Sequence, residues 1–251
     1  GFVMRISEGV EMIQLTARAF NQDITLNPTL VWNNEEVILI DTGMPGQIDQ
    51  LKEALNKLNM SIKQLKVILL THQDLDHIGC AADIRNNSDK NIIVYAHEFD
   101  KPYIEGKLPL IKTNASQMSK EELSAIPDEI KYLYKTPPKV DVDVVLKGSQ
   151  LLPYCGGIEV IFTPGHTPGH VSFYLRKSKT LVAGDTLVLA NGQLMEPVKQ
   201  TTLNMDQAVQ SLEKFLNYEI EHVICYHGGY FQGCPKEAIL RIKEHVAERQ
   251  S

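Results

Sequence analysis

Apolar residues recur along the chain in two rhythms. Leu30–Trp32 and Val37–Ile40 are short β-rich runs separated by the polar NNEE, which predicts a hairpin. Over Gly46–Met60 the rhythm changes: Ile48, Leu51, Leu55 and Leu58 fall at helical spacing and mark one buried face. The continuous run LKVILL then predicts a strand covered on both sides, ending at Thr71 and His72. Further strands are expected at Ile92–Tyr95, Val142–Leu146, Ile158–Phe162, Val171–Leu175, Thr180–Ala183 and His222–Cys225, with helices near Lys120–Tyr134, Asp206–Asn217 and Pro235–Glu248. Many strands with few interposed helices favour two packed sheets flanked by helices over one doubly wound sheet. His97–Lys139 interrupts this order, its helix bracketed by KLPLIKTNAS and KTPPK, and reads as an insertion.

With 251 residues the chain can bury a substantial core. The formal net charge is −6 and no Lys/Arg-rich run occurs, so no electrostatic footprint for nucleic acid or an anionic membrane is present. The segment GFVMRISEGVEMIQL lacks the apolar core of a signal peptide, and no stretch has the length of a membrane span. Cys80, Cys155, Cys225 and Cys234 form no CxxC pair and are too sparse for a disulfide framework. A cytoplasmic protein acting on a small molecule is expected.

Candidate chemistry gathers where strands end. THQDLDHIG places His72, Asp74, Asp76 and His77 within six positions after an apolar run. Asp and His also occur in solvated turns, but alternate residues of an extended segment share a side, so His72, Asp74 and Asp76 can converge while His77 follows at the next turn. Two further clusters repeat the arrangement: TPGHTPGH carries His166 and His170, while VAGDTL and CYHGG carry Asp185 and His227. Imidazole and carboxylate are the usual ligands of zinc, and of iron or manganese as oxygen donors increase. His97, His222 and His245 have no partner motif and read as packing or surface residues. Tyr103, Tyr132, Tyr134 and Tyr230 are placed where each could line a pocket.

The ordered set THQDLDHIG, TPGHTPGH, LVAGDTL and CYHGG, with VILIDTG upstream, resembles the metallo-β-lactamase-fold hydrolase superfamily from about Thr29 to about Gly229. The resemblance implies an α/β fold, an αββα sandwich of two mixed sheets, expected here as a single domain over 1–251 with the 97–139 insertion capping the active site. It implies two divalent metal ions, zinc first, with iron or manganese as alternatives. His72, Asp74 and His166 would hold one ion; Asp76, His77 and His227 the other; Asp185 would bridge them. Asp41 and His170 would support the ligands from behind. A hydroxide held by both metals would then attack the carbonyl of an ester, lactone or thioester, with Asp76 guiding its proton.

Position 74 departs from the usual His-x-His-x-Asp-His pattern. A carboxylate there is similar to the flavodiiron oxygen reductases, which makes a non-haem diiron redox protein the alternative reading, although no flavodoxin module is expected after His227. By charge, a third carboxylate reduces the net charge of two divalent ions and their ligands from two to one, which weakens acidification of a bound water and favours oxygen-accepting metals. Other features narrow the resemblance. Exported β-lactamases with the His-rich site lack an Asp185-type bridge, glyoxalase II enzymes carry a long C-terminal helical region, and quorum-quenching lactonases have Tyr where this chain has Val188. A small stand-alone metallo-hydrolase is the expectation.

Overall fold

The computed structural model describes residues 2–19, 21–88 and 91–250. The first sheet contains β1 (Phe2–Ser7), β2 (Val10–Ala19), β3 (Gln22–Leu26), β4 (Thr29–Trp32), β5 (Val37–Ile40), β6 (Val67–Leu69), β7 (Ile93–His97) and β8 (Val144–Leu146). Their order is β1-β2-β4-β5-β6-β7-β8, with β3 also pairing β2. The second contains β9 (Gln150–Leu152), β10 (Ile158–Phe162), β11 (Val171–Leu175), β12 (Thr180–Gly184), β15 (His222–Cys225) and β16 (Gly229–Phe231), ordered β16-β15-β12-β11-β10-β9; β13 (Val188–Ala190) and β14 (Gln193–Met195) form a separate hairpin. β5 to β8 pair in parallel, as do β12 and β15, so both sheets are mixed.

Strand alternation divides the core into layers. In β5, Ile38 and Ile40 face the second sheet, while Val37 and Leu39 face the helices; in β6, Val67 and Leu69 point inward and Ile68 outward. The inter-sheet layer is completed by Val160, Val171, Phe173, Val182 and Ile224. On the outer face of the first sheet lie α1 (Ile48–Lys57), α2 (Leu75–Ile78) and α3 (Ala81–Asn87). The inserted segment carries α4 (Lys101–Ile104), α5 (Lys120–Ser124) and α6 (Asp128–Lys135). The outer face of the second sheet is covered by Leu212 and Phe215, just after α7 (Met205–Ser211), and by Ile239 and Ile242 of α8 (Pro235–Gln250). The result is the expected αββα sandwich.

Two features depart from the sequence pattern. The helix expected over Lys120–Tyr134 is two short helices, because Pro127 supplies no backbone donor and pushes Ile126 out of helical geometry; a Ser119–Glu122 capping box then starts the first. The N-terminal strands were not signalled. β2 buries both faces, Val10 and Met12 toward the second sheet and Ile13 and Leu15 toward the helices, so the adjacent Met12–Ile13 hides its alternation. Glu11 is buried within it and accepts from the Arg5 guanidinium at 2.8 Å.

Phe173 is fully buried between the sheets. Phe173→Ala should destabilise the fold by about 3–5 kcal/mol, measured as a shift in the midpoint of denaturant unfolding with unchanged slope.

Candidate metal centre

The site residues gather just past strands. β6 leads into Thr71 and His72, Asp74 stands at the N-terminus of α2, and α2 itself carries Asp76 and His77. The loop after β10 carries His166 and His170; β12 ends at Asp185, and β15 leads to Tyr226 and His227. Asp41, just past β5, adopts φ +65°, a left-handed conformation that side chains rarely take and that is tolerated where its surroundings over-determine it. At Gly184 φ is +62°, and a Cβ would lie 2.7 Å from His170 Nε2, so glycine lets the end of β12 approach that ring.

The seven side chains singled out by the motifs converge. Asp185 Oδ2 lies 3.3 Å from His72 Nε2, 3.1 Å from His166 Nε2 and 3.0 Å from His77 Nε2, while its Oδ1 lies 3.6 Å from His227 Nε2. Asp74 Oδ2 is 3.2 Å from His72 Nε2 and 3.0 Å from His166 Nε2. Asp76 stands 3.6 Å from His77 Nε2 and 3.1 Å from His227 Nε2. Donor atoms of His72, Asp74, His166 and Asp185 all lie within 4.8 Å of one another, and those of Asp76, His77 and His227 form a second such group. Asp185 touches histidines of both.

Hydrogen bonds behind the rings fix which nitrogen faces inward. The Thr71 hydroxyl donates to Asp41 Oδ2 at 2.7 Å, so it can only accept from His72 Nδ1 at 2.9 Å. Asp41 also accepts from His77 Nδ1 at 2.9 Å. The Thr202 hydroxyl donates to the Val198 carbonyl and therefore accepts from His166 Nδ1 at 3.1 Å. In all three rings Nδ1–H is engaged and Nε2 is turned to the centre, where it can carry a proton or bind a cation. His170 is oriented the other way. Its Nε2 accepts from the Asp185 backbone N–H at 3.0 Å, and a relay through Thr163 and Ser172 to the Ala183 carbonyl takes up Nδ1–H. Burial, with His72 and His166 nearby, holds His170 well below the usual imidazole range, so it is a neutral support for Asp185.

The charge arrangement suits a cation. Burial opposes ionisation of Asp185, but His77 and His227 outweigh it and hold the carboxyl well below its usual range. Burial likewise opposes charging of His77, and Asp185, Asp76 and Asp41 overcome it; His227 is raised to about 10, against burial, chiefly by Asp185. Within this network His72 Nε2 and Asp185 Oδ1 are buried with no hydrogen-bond partner. Buried lone pairs of this kind are expensive unless something binds them, and an imidazole–carboxylate donor set fits a divalent metal.

Three participants were not among the candidate residues. Lys112, from the inserted segment, donates to Asp74 Oδ2 at 2.6 Å. Asp100 is completely buried and accepts from Gln73 N at 2.9 Å, Gln73 Nε2 at 3.1 Å, Thr167 Oγ1 at 2.7 Å and Gly169 N at 2.8 Å, thereby tying the two His-bearing loops together. Tyr226 stacks on His77 with ring centroids 3.8 Å apart, accepts from Gly43 N and donates to the Asp76 carbonyl. Its place beside His227 was its only signal.

Of the four tyrosines singled out earlier, Tyr134 lines the cavity at the site, whereas Tyr103 packs into the core, Tyr132 is exposed and Tyr230 pairs with His222. His97 is buried, stacks on Phe162 and accepts from Phe99 N, a packing role.

A sequence profile of the metallo-beta-lactamase superfamily matches residues 25–227, and the chain belongs to that superfamily. It is 30% identical to the probable metallo-hydrolase YflN of Bacillus subtilis, over 76% of this chain and 75% of that one. It is 29% identical to the hydroxyacylglutathione hydrolase GloC of Haemophilus influenzae, over 71% of each. In three dimensions it is similar to the metallo-beta-lactamase family protein TTHA1429 of Thermus thermophilus, with TM-score 0.73, 21% identity and 98% of this chain covering 81% of that one. Metallo-hydrolase is thus the class that the superfamily and the named relatives indicate. No helix among the described residues is long and apolar enough to cross a membrane.

Removing the Asp100 clamp would leave two buried backbone N–H groups, of Gln73 and Gly169, without an acceptor. Asp100→Ala should therefore lower unfolding free energy by about 2–6 kcal/mol, at about 1–3 kcal/mol per orphaned donor, measured by chemical denaturation.

Proposed function

We propose that this protein hydrolyses an ester, lactone or thioester of a small molecule at a centre of two divalent metal ions. The observation that carries the reading is the convergence of six His and Asp side chains around Asp185, with His72 Nε2 and Asp185 Oδ1 buried and without a hydrogen-bond partner. His72, Asp74 and His166 would hold one ion, Asp76, His77 and His227 the other, and Asp185 would bridge. When bound, such ions polarise a carbonyl and acidify water. The chain's own groups do the rest. Thr71, Asp41, Thr202 and His170 hold the ligands in one orientation, and Asp76, one-quarter exposed at the cavity wall, is placed to take the proton of an attacking water. The hydroxyacylglutathione hydrolase activity of the GloC relative favours thioesters within this range.

Lys112 changes the charge count. Two divalent ions with three carboxylates leave one net positive charge, and the Lys112 ammonium on Asp74 restores a second, the balance of a site with histidine at position 74. The shift toward iron or manganese expected from Asp74 alone is correspondingly offset, and zinc remains the first candidate.

Metal analysis of the purified protein, followed by a panel of ester, lactone and thioester substrates including S-lactoylglutathione, tests the reading. Metal-dependent turnover supports it; a metal-loaded protein inert on all three classes overturns it. Asp185→Asn should weaken metal retention by more than the roughly 10–100-fold caused by losing a supporting partner, with turnover falling in parallel. Equilibrium dialysis against a chelator checks the first effect.

Asp74→His alone leaves Lys112 without its carboxylate and facing a more positive centre, so metal retention should fall. Adding Lys112→Met should recover it, giving a coupling of about 0.5–3 kcal/mol between the positions in a double-mutant cycle of metal affinity. Additive effects would place Lys112 outside the charge balance.

The four inward Nε2 atoms bind either protons or metal, and acidic partners raise His77, His166 and His227 above the usual imidazole range. Metal uptake should therefore release protons, and affinity should rise with pH through the neutral range and fall on acidification. Calorimetry in buffers of different ionisation enthalpy reads the proton count.

A further inference from the structure

Beside the centre lies a cavity of about 860 Å³ that Asp74, Asp76, His166, Asp185 and His227 share with a largely apolar wall. The apolar part comes from two elements distant in sequence: Leu110, Ile130 and Leu133 of the inserted segment, and Ile24 and Leu26 of β3. Met44, in the loop after β5, adds to it. Ligands in cavities of this size are recognised by apolar contact plus a few placed polar groups, and here the imidazoles and carboxylates of the centre supply a group of them at one end.

The charged residues of the wall define what the remainder of a substrate can be. Lys112 Nζ is held 2.6 Å from Asp74, Arg18 makes a solvent-exposed contact with Asp23 at 3.2 Å, and Glu129 adds a carboxylate to the wall. A glutathione conjugate would bring two further carboxylates and an ammonium to this wall, where the one cation shielded from solvent is already held by Asp74. A hydrocarbon chain needs no such partners and gains from every methylene removed from water.

Resting on the hydrolase reading above, we propose that the substrate is an acyl ester or thioester with a hydrocarbon chain of medium length. Its carbonyl sits at the metal centre and its chain lies against Leu110, Ile130, Leu133, Ile24 and Leu26. Hydrolysis adds water across the acyl bond: the carbonyl carbon gains the water oxygen, and the alkoxide or thiolate leaves with a proton. The products are a fatty acid and an alcohol or thiol. Chain recognition accordingly belongs to the inserted segment and β3, and carbonyl recognition to the strand ends.

A series of p-nitrophenyl esters from acetyl to decanoyl, assayed with the metal-loaded protein, tests this because the leaving group stays constant. The expected result is a rise in kcat/KM of about fourfold per methylene, the equivalent of about 0.8 kcal/mol, until the cavity is filled. Leu133→Ala and Ile24→Ala, on separate elements, should each cut the decanoyl-to-acetyl ratio by about tenfold. Calorimetry should show decanoate binding more tightly than acetate, with a negative heat-capacity change. Turnover that does not depend on chain length, with decanoate no tighter than acetate, would overturn the acyl-chain assignment and leave the hydrolase reading intact. No turnover of any p-nitrophenyl ester and none across the lactone and thioester panel, with decanoate still bound through Leu133 and Ile24, would overturn the hydrolase reading and support the apolar seat. Absence of both would overturn both.

Discussion

Three carboxylates, Asp74, Asp76 and Asp185, share one buried site, and they can be held there only if positive charge stands among them. Every other arrangement around the site serves that constraint. Histidines that follow three separate strands approach with Nε2 inward, a lysine arrives from the inserted segment, and hydroxyl and carboxylate groups behind the rings stop them from turning away. Imidazoles in this setting accept protons readily because the carboxylates demand a counter-charge. The same demand makes the site receptive to divalent metal, which supplies more charge in less space than protons do.

The sandwich makes this concentration of charge sustainable. Strand ends of both sheets are locked by apolar layers whose alternation leaves no freedom of register: shifting β6 by one residue would exchange Val67 and Leu69 with Ile68 and withdraw His72 from the site. Hydrogen bonds then couple the loops to one another, Asp41 with Thr71 and His77, Asp100 with Gln73, Thr167 and Gly169. The supports come partly from strand ends, Asp41 after β5 and Thr71 after β6, and partly from loops, Asp100 and Thr202.

Much of this was legible in the sequence, for identifiable reasons. Side chains that follow directly on apolar strands, such as His72, Asp185 and His227, could be located because the strand's end fixes their position, and the continuous run before His72 marked a strand buried on both faces. Lys112 and Asp100 were not legible. Both lie in the inserted segment, whose polar stretches carry no period, and their partners are distant in the chain: Asp74 for the one, Gln73 and Gly169 for the other. β2 was not legible because a strand buried on both faces by unlike layers shows no simple alternation, and the break within Lys120–Tyr134 is masked because the apolar spacing continues across Pro127.

The Lys112–Asp74 contact joins two parts of the molecule that could otherwise change independently. A surface segment that shapes a cavity can ordinarily be lengthened, shortened or exchanged with little consequence for a core several strands away. Here that segment also carries one of the charges on which the buried ligands depend. Exchanging it for another of equal length but without a lysine at this place would leave Asp74 under-compensated, and restoring histidine at 74 without altering the segment would leave the ammonium stranded. The two positions are therefore coupled by charge, so that a change in that segment which removes Lys112 is felt at Asp74 and through it at the buried cluster.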